Sequence, residues 1–258
     1  MMLVLNNLND ILNEEVAAVL LTFARTSGAV SFAPAIGERM LPSRVRLALA
    51  VVLTMVVFPL ARQHYSHEKI GTYWFVGLFA TELVIGVLLG IGLRFFVVCL
   101  QMAGSIAAQS TSLSQIFGTA ASDPQPAIGH VLVLAGLAVA TSLGLHVQIV
   151  KFVAQSYAIM SPGMAVASID VATWGTQQIA NMFALGFSIA MPFVIAGLLY
   201  NVALGAINRA MPQLMVSFVG APAIALAGLV LLFFLAPLMI SVWRSALMEF
   251  MQSPFGYF

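Results

Sequence analysis

Apolar residues in this chain run in long blocks and show neither strict alternation nor the narrow helical stripe of a soluble domain. Seven blocks stand out: Val16–Ile36, Val45–Ala61, Thr72–Leu93, Phe95–Phe117, Ala127–Val150, Ile179–Ile207 and Gln213–Trp243. A helix that crosses a bilayer needs about 20 mostly apolar residues. Val45–Ala61 is short for a span, whereas the last two blocks are long. At 1.5 Å per residue, a helix over Gln213–Trp243 extends about 46 Å, against a hydrocarbon core of about 30 Å. Pro192, Pro222 and Pro237 are candidate kinks inside these long blocks. The pattern predicts an all-α membrane protein of about six to seven long apolar helices.

The polar breaks between blocks give the organisation. Pro34–Pro42 separates the first two blocks, Arg62–Gly71 is the most polar connector, and Ala121–Pro126 ends the fourth block. Ser161-Pro-Gly163 and the stretch Asp170–Gln178 divide the chain. The division gives an N-terminal part, 1–160, a connector, 161–178, and a C-terminal two-helix hairpin, 179–258, which turns at Asn208–Gln213. Gly86-x3-Gly90 and the series Gly197, Asn201, Gly205 are small or polar residues at spacing four, which let membrane helices pack closely.

Composition reinforces the membrane reading. The 258 residues are 61% hydrophobic and 7% charged, where soluble domains run about 45–50% apolar and about 25% charged. Phe95–Ser122, Val171–Asn208 and Ala210–Trp243 carry no Asp, Glu, Lys or Arg. A formal net charge of +1 gives no cationic patch for nucleic acid. Cys99 is the single cysteine, so neither an internal disulfide nor a multi-cysteine metal site can form, and its neighbours mark it as a small core hydrophobe. Met1–Glu15 contains Asp10, Glu14 and Glu15 but no Lys or Arg, unlike the start of a secretory signal, so the first apolar block is expected to stay in the mature protein.

Signatures of catalysis are missing from the sequence: there is no P-loop, no HExxH and no GxSxG. His64-x2-His67-Glu68 falls in the polar connector and reads as a solvated loop in preference to a metal site. No catalytic residue, metal or cofactor is expected.

Charges inside apolar blocks say more, because each costs about 2.5–3.5 kcal/mol at the centre of a span. Arg25 lies within the first block, Glu82 within the third, and Arg94 follows its end. All three are expected to face protein or water with a partner. Glu82 is either a proton-carrying carboxylate or one half of a structural ion pair. Uncharged polar residues also crowd Gln101–Gly118, where positions 101, 105, 108, 112 and 115 share one helical face and are all Gln, Ser or Ala. Lipid disfavours such a face, so it either lines a passage or forms a polar contact between helices.

Three stretches then resemble a known family. They are Arg25-Thr-Ser-Gly28 followed by Ala33-Pro34-x3-Glu38-Arg39-x2-Pro42-x-Arg44-Val-Arg46; Ile85-Gly86-x3-Gly90 followed by Ala103-Gly104-x4-Gln109; and Leu204-Gly-Ala-Ile-Asn208-Arg209-Ala-Met-Pro212-Gln213-Leu214 followed by Phe218-Val-Gly220-Ala-Pro222. In this order they resemble the R-type subunits of the bacterial flagellar protein-export gate, which are related to a virulence-secretion counterpart. Asn208-Arg209 before Pro-Gln-Leu fits the flagellar branch. Met215 and Ser110-Thr-Ser112 depart from the family pattern.

The resemblance implies a P-type-like helical part, 1–160, joined to a Q-type-like hairpin, 179–258. It implies a channel-forming assembly with P-type and Q-type subunits and the B-type switch subunit, in the bacterial inner membrane at the flagellar basal body. It implies passage of unfolded flagellar proteins, a plug drawn from Gly104, Gln109, Ser110, Thr111, Ser112, Ser114, Gln115 and Phe117, and a turn or assembly contact at Asn208, Arg209, Pro212 and Gln213. The competing readings are a multi-pass proton-coupled transporter using Glu82 and Arg25, and a basal-body scaffold without a channel surface.

Overall fold

In a computed structural model the described residues are 2–37, 41–65, 72–111, 127–164, 168–210 and 216–253. They form α1 (Met2–Phe32), α2 (Ser43–Ala61), α3 (Thr72–Ser110), α4 (Ala127–Ser142), α5 (Leu145–Ile159), α6 (Ser168–Ala210) and α7 (Val216–Gln252), with a single 3-10 turn at Arg62–His64 after α2. No strand occurs among the described residues. The all-helical membrane architecture expected from the apolar blocks is therefore the one found, with five helices among the described residues long and apolar enough to span a bilayer and the bent pair α4–α5 as a sixth candidate.

Two blocks expected to be separate are one helix. Thr72–Leu93 and residues 95–110 of the next block run as one helix, α3, 39 residues long, and residues 112–117 of that block lie outside the described residues. Arg94 does not separate them, because arginine is a good helix former and nothing there interrupts the backbone hydrogen bonds. Conversely, Ala127–Val150 is broken. Gly144 takes φ 79° between α4 and α5, a left-handed conformation that glycine adopts without steric cost. Helix α6 begins at Ser168, so residues 168–178 of the expected connector are helical, with Asp170 in the first turn where a negative charge complements the helix dipole. Pro192, Pro222 and Pro237 lie within continuous helices.

Helices α3, α6 and α7 contain 39, 43 and 37 residues, or about 58, 64 and 55 Å at 1.5 Å per residue. All three greatly exceed the hydrocarbon core of a bilayer.

The chain forms two compact units, one from Met1–Arg94, Leu143–Thr176 and Phe250–Phe258, the other from Phe95–Ser142 and Gln177–Glu249. Both are discontinuous in sequence, so 1–160 and 179–258 each contribute to both.

In the first unit α1 packs on α2, and α2 on α5. Helices α1 and α3 meet through glycines. A Cβ on Gly28 would come within 2.8–2.9 Å of the backbone of Val87 and Leu83, and one on Gly86 would collide with the backbone of Arg25. The Gly86-x3-Gly90 pair thus serves the close helix contact its spacing suggests. Leu21, Ile85, Leu89, Leu93 and Phe152 fill the core around it.

In the second unit Trp243 is fully buried and its indole Nε1–H donates to the Phe96 carbonyl at 2.8 Å. Gly104 of α3 packs directly on Gly129 of α4. Outward faces of α2, α6 and α7 are strongly apolar: Met55 is 71% exposed, Phe233 76% and Leu199 65%.

Candidate functional site

The charges expected inside apolar segments meet in the first unit. Arg25 and Glu82 both have no solvent exposure. The Arg25 guanidinium donates from Nε to Glu82 Oε2 at 2.7 Å and from Nη2 to Glu82 Oε1 at 3.0 Å. Its Nη1 donates to Ser156 Oγ at 3.1 Å, and Nη2 also donates to the Met160 carbonyl at 2.9 Å. The Tyr157 ring centroid lies 3.8 Å from the guanidinium carbon, a cation–π geometry strengthened by the burial of both side chains. One arginine on α1 therefore ties α3, α5 and the chain just after α5 together.

Sequence reasoning identified Arg25 and Glu82 by their cost in an apolar run but missed their supports. Ser156, Tyr157 and the Met160 carbonyl carry no charge, and their one signal is the polar pair Ser156-Tyr157 inside an apolar helix. Tyr65 borders the cluster: its phenol oxygen lies 3.3 Å from Thr22 Oγ1, and its ring centroid 6.1 Å from that of Tyr157. Burial, with Tyr157 and Glu82 adding to it, pushes the Tyr65 phenol well above its usual range, so it stays protonated. A second ion pair, Arg62 Nη2 to Glu15 Oε1 at 2.6 Å, joins the end of α2 to α1 and is partly exposed. Arg94 is partly buried in mid-α3. Both Glu82 oxygens accept from one guanidinium, the two-point geometry of a structural ion pair.

The polar end of α3 lies in the second unit. Ser105, Ser110 and Thr111 return their hydroxyls to Gln101, Ile106 and Ala107 carbonyls one turn back, at 2.8–3.0 Å. Such back-bonding satisfies a hydroxyl without any outside partner. Gly104 and Thr111 are buried, Ser110 is half-buried and Gln109 is exposed. Ser110 packs on Gly197 of α6, and Thr111 on Gly228 of α7. Of this polar stretch, Ser110 and Thr111 make contacts between helices, whereas Gln109 is exposed. Ser112, Ser114, Gln115 and Phe117 lie outside the described residues.

At the α6–α7 turn, Asn208 and Arg209 are exposed in the last turn of α6, where a cation complements the helix dipole. Pro212 and Gln213 lie outside the described residues. Tyr200 Oη donates to the Gly220 carbonyl at 2.6 Å, fastening the two helices near the turn. Among the described residues a Cβ on Gly205 would meet nothing within 4 Å and Asn201 is exposed, whereas Gly197 packs on Ser110. Among the described residues no group of three His, Cys, Asp or Glu side chains converges to hold a metal ion.

Comparison with known proteins extends the resemblance noted on short motifs to the chain as a whole. The family described as bacterial export proteins, family 1, matches residues 16–250. The flagellar biosynthetic protein FliR of Caulobacter vibrioides is 30% identical over 220 residues, covering 84% of this chain and 88% of the relative. FliR of Aquifex aeolicus is 28% identical over 252 residues, 95% of each chain, and FliR of Escherichia coli K12 is 25% identical over 219 residues, 83% and 82%. With its motifs in family order and the match running from α1 to the end of α7, this chain belongs to family 1 of the bacterial export proteins.

Proposed function

We propose that this protein is a core subunit of the flagellar type III protein-export gate. It assembles with P-type and Q-type subunits and the B-type switch subunit, in the bacterial inner membrane at the flagellar basal body. Residues 1–160 act as its P-type-like part and 179–258 as its Q-type-like hairpin. The assembly forms and closes a channel for unfolded flagellar proteins, with Gly104, Gln109–Ser112, Ser114, Gln115 and Phe117 contributing the plug. The role is passive: binding, shaping and sealing, with no covalent step on this chain.

The family match over residues 16–250, with relatives named as flagellar biosynthetic proteins, carries the reading. Geometry supports it in two ways. Helices of about 55–64 Å with apolar outer faces need protein as well as lipid to cover them. The doubly bonded Glu82 suits a structural pair better than a proton-coupling carboxylate. Deletion of the gene should abolish secretion of flagellar hook and filament proteins while leaving general protein secretion intact, and plasmid-borne expression should restore it. Normal flagellar export from the deletion strain would overturn the proposal.

A further inference from the structure

Helix α1 is the weakest of the candidate spans. Its segment Glu14–Phe32 is the least apolar of the five, carries Glu14 and Glu15 near one end and Arg25 towards the middle, and is half buried within the protein. Helix α3 is far more apolar, and its segment Phe75–Ser110 is long and apolar enough to cross a bilayer. Each strong charge contact of α1 comes from later in the chain. Glu15 pairs with Arg62 after α2, and Arg25 pairs with Glu82 on α3, 57 residues downstream.

We propose that the Arg25–Glu82 pair is an insertion latch: α1 holds its place in the membrane only when α3 supplies Glu82, so the first and third helices become stable membrane spans together. The inference concerns biogenesis and stands independently of the export reading.

Three observations carry it. Arg25 and Glu82 have no exposure, so neither charge reaches water by snorkelling. The guanidinium is bound through both Nε and Nη2 to both carboxylate oxygens, so one partner neutralises the other completely. Gly28, Gly86 and Gly90 bring the two backbones within reach, and a Cβ at Gly86 would collide with Arg25 itself. The remaining contacts, the Ser156 hydroxyl, the Tyr157 ring and the Met160 carbonyl, come from α5 and the residue following it, and complete the latch after α3 is in place. Ser156 Oγ also donates to the Val153 carbonyl at 2.7 Å, so it keeps a partner if Arg25 is removed.

The latch makes an asymmetric prediction. Loss of Glu82 strands a cation in the weakest span, whereas loss of both charges leaves α1 more apolar than before. The test uses the full chain with Cys99→Ala and a reporter cysteine, Leu21→Cys, at a buried position of α1. A membrane-impermeant maleimide is applied to intact spheroplasts and to inverted vesicles. The parent should stay unlabelled. Glu82→Leu should raise labelling at least fivefold, or lower the amount of membrane-integrated chain by the same factor. Adding Arg25→Leu to Glu82→Leu should bring either readout back to within twofold of the parent. Two results would overturn the latch: Glu82→Leu that stays integrated and unlabelled, or a double variant as labelled or as depleted as the single one.

Discussion

Arg25 distributes its donors over Glu82, Ser156 and the Met160 carbonyl, so its contribution is spread across three segments and does not belong to one bond. Breaking such a pair from one side costs about 3–5 kcal/mol, because a bare charge remains buried. Sequence made the cost visible but not the partner, since 57 residues separate Arg25 from Glu82 and no local pattern links them. Trp243 is a simpler case at the same scale. Its indole N–H bonds the Phe96 carbonyl 147 residues away, and the ring is fully buried. Trp243→Phe should therefore cost about 1 kcal/mol in the purified protein, the net worth of one hydrogen bond. Trp243→Ala should cost about 3–5 kcal/mol, the usual price of emptying a large core site. Reversible denaturation in mixed detergent measures both, and a Trp243→Phe variant as stable as the parent would remove the hydrogen bond from the account.

Helices were legible as elements, but not all their ends. Apolar length announces α1, α2, α6 and α7, while α3 runs straight through Arg94, a charge that interrupts the apolar run but not the backbone. The opposite error came at Gly144, where one glycine with positive φ ends α4 inside a continuous apolar run. A helix stops when its backbone geometry fails, and hydropathy does not report that. Beyond Arg209, the α6–α7 turn lies outside the described residues, yet its flanks are clear: Asn208 and Arg209 are exposed, and Tyr200 bonds the Gly220 carbonyl. An exposed arginine at the end of a 43-residue apolar helix stabilises its own fold little. Arg209→Ala is thus expected to leave the isolated chain within about 0.5–1 kcal/mol of the parent, while lowering recovery of partner subunits and flagellar export. Export and partner recovery both unchanged would show that the turn makes no assembly contact.

For the whole molecule, the two compact units interleave the chain, and contributions from α3, α6 and α7 to both are invisible to a reading that moves from one end to the other. The candidate site divides in the same way. The charges Arg25 and Glu82 stand out residue by residue, whereas the packing of Ser110 on Gly197 and Thr111 on Gly228 depends on segments nearly 90 or more residues downstream. In the export reading, residues 109–118 seal the closed channel. Their deletion should let small ions or dyes through assembled gates, while a scaffold expects no leak. Assembled yet ion-tight gates would remove the plug assignment.

The central claim is that this protein works as one subunit of a hetero-oligomeric export gate. It is tested most directly by mild-detergent purification of a tagged copy from native membranes, with native mass spectrometry of the product. The account predicts a single large complex in which this chain is joined by P-type and Q-type subunits. A monomer or a homo-oligomer, recovered under conditions that keep other membrane complexes intact, would contradict it.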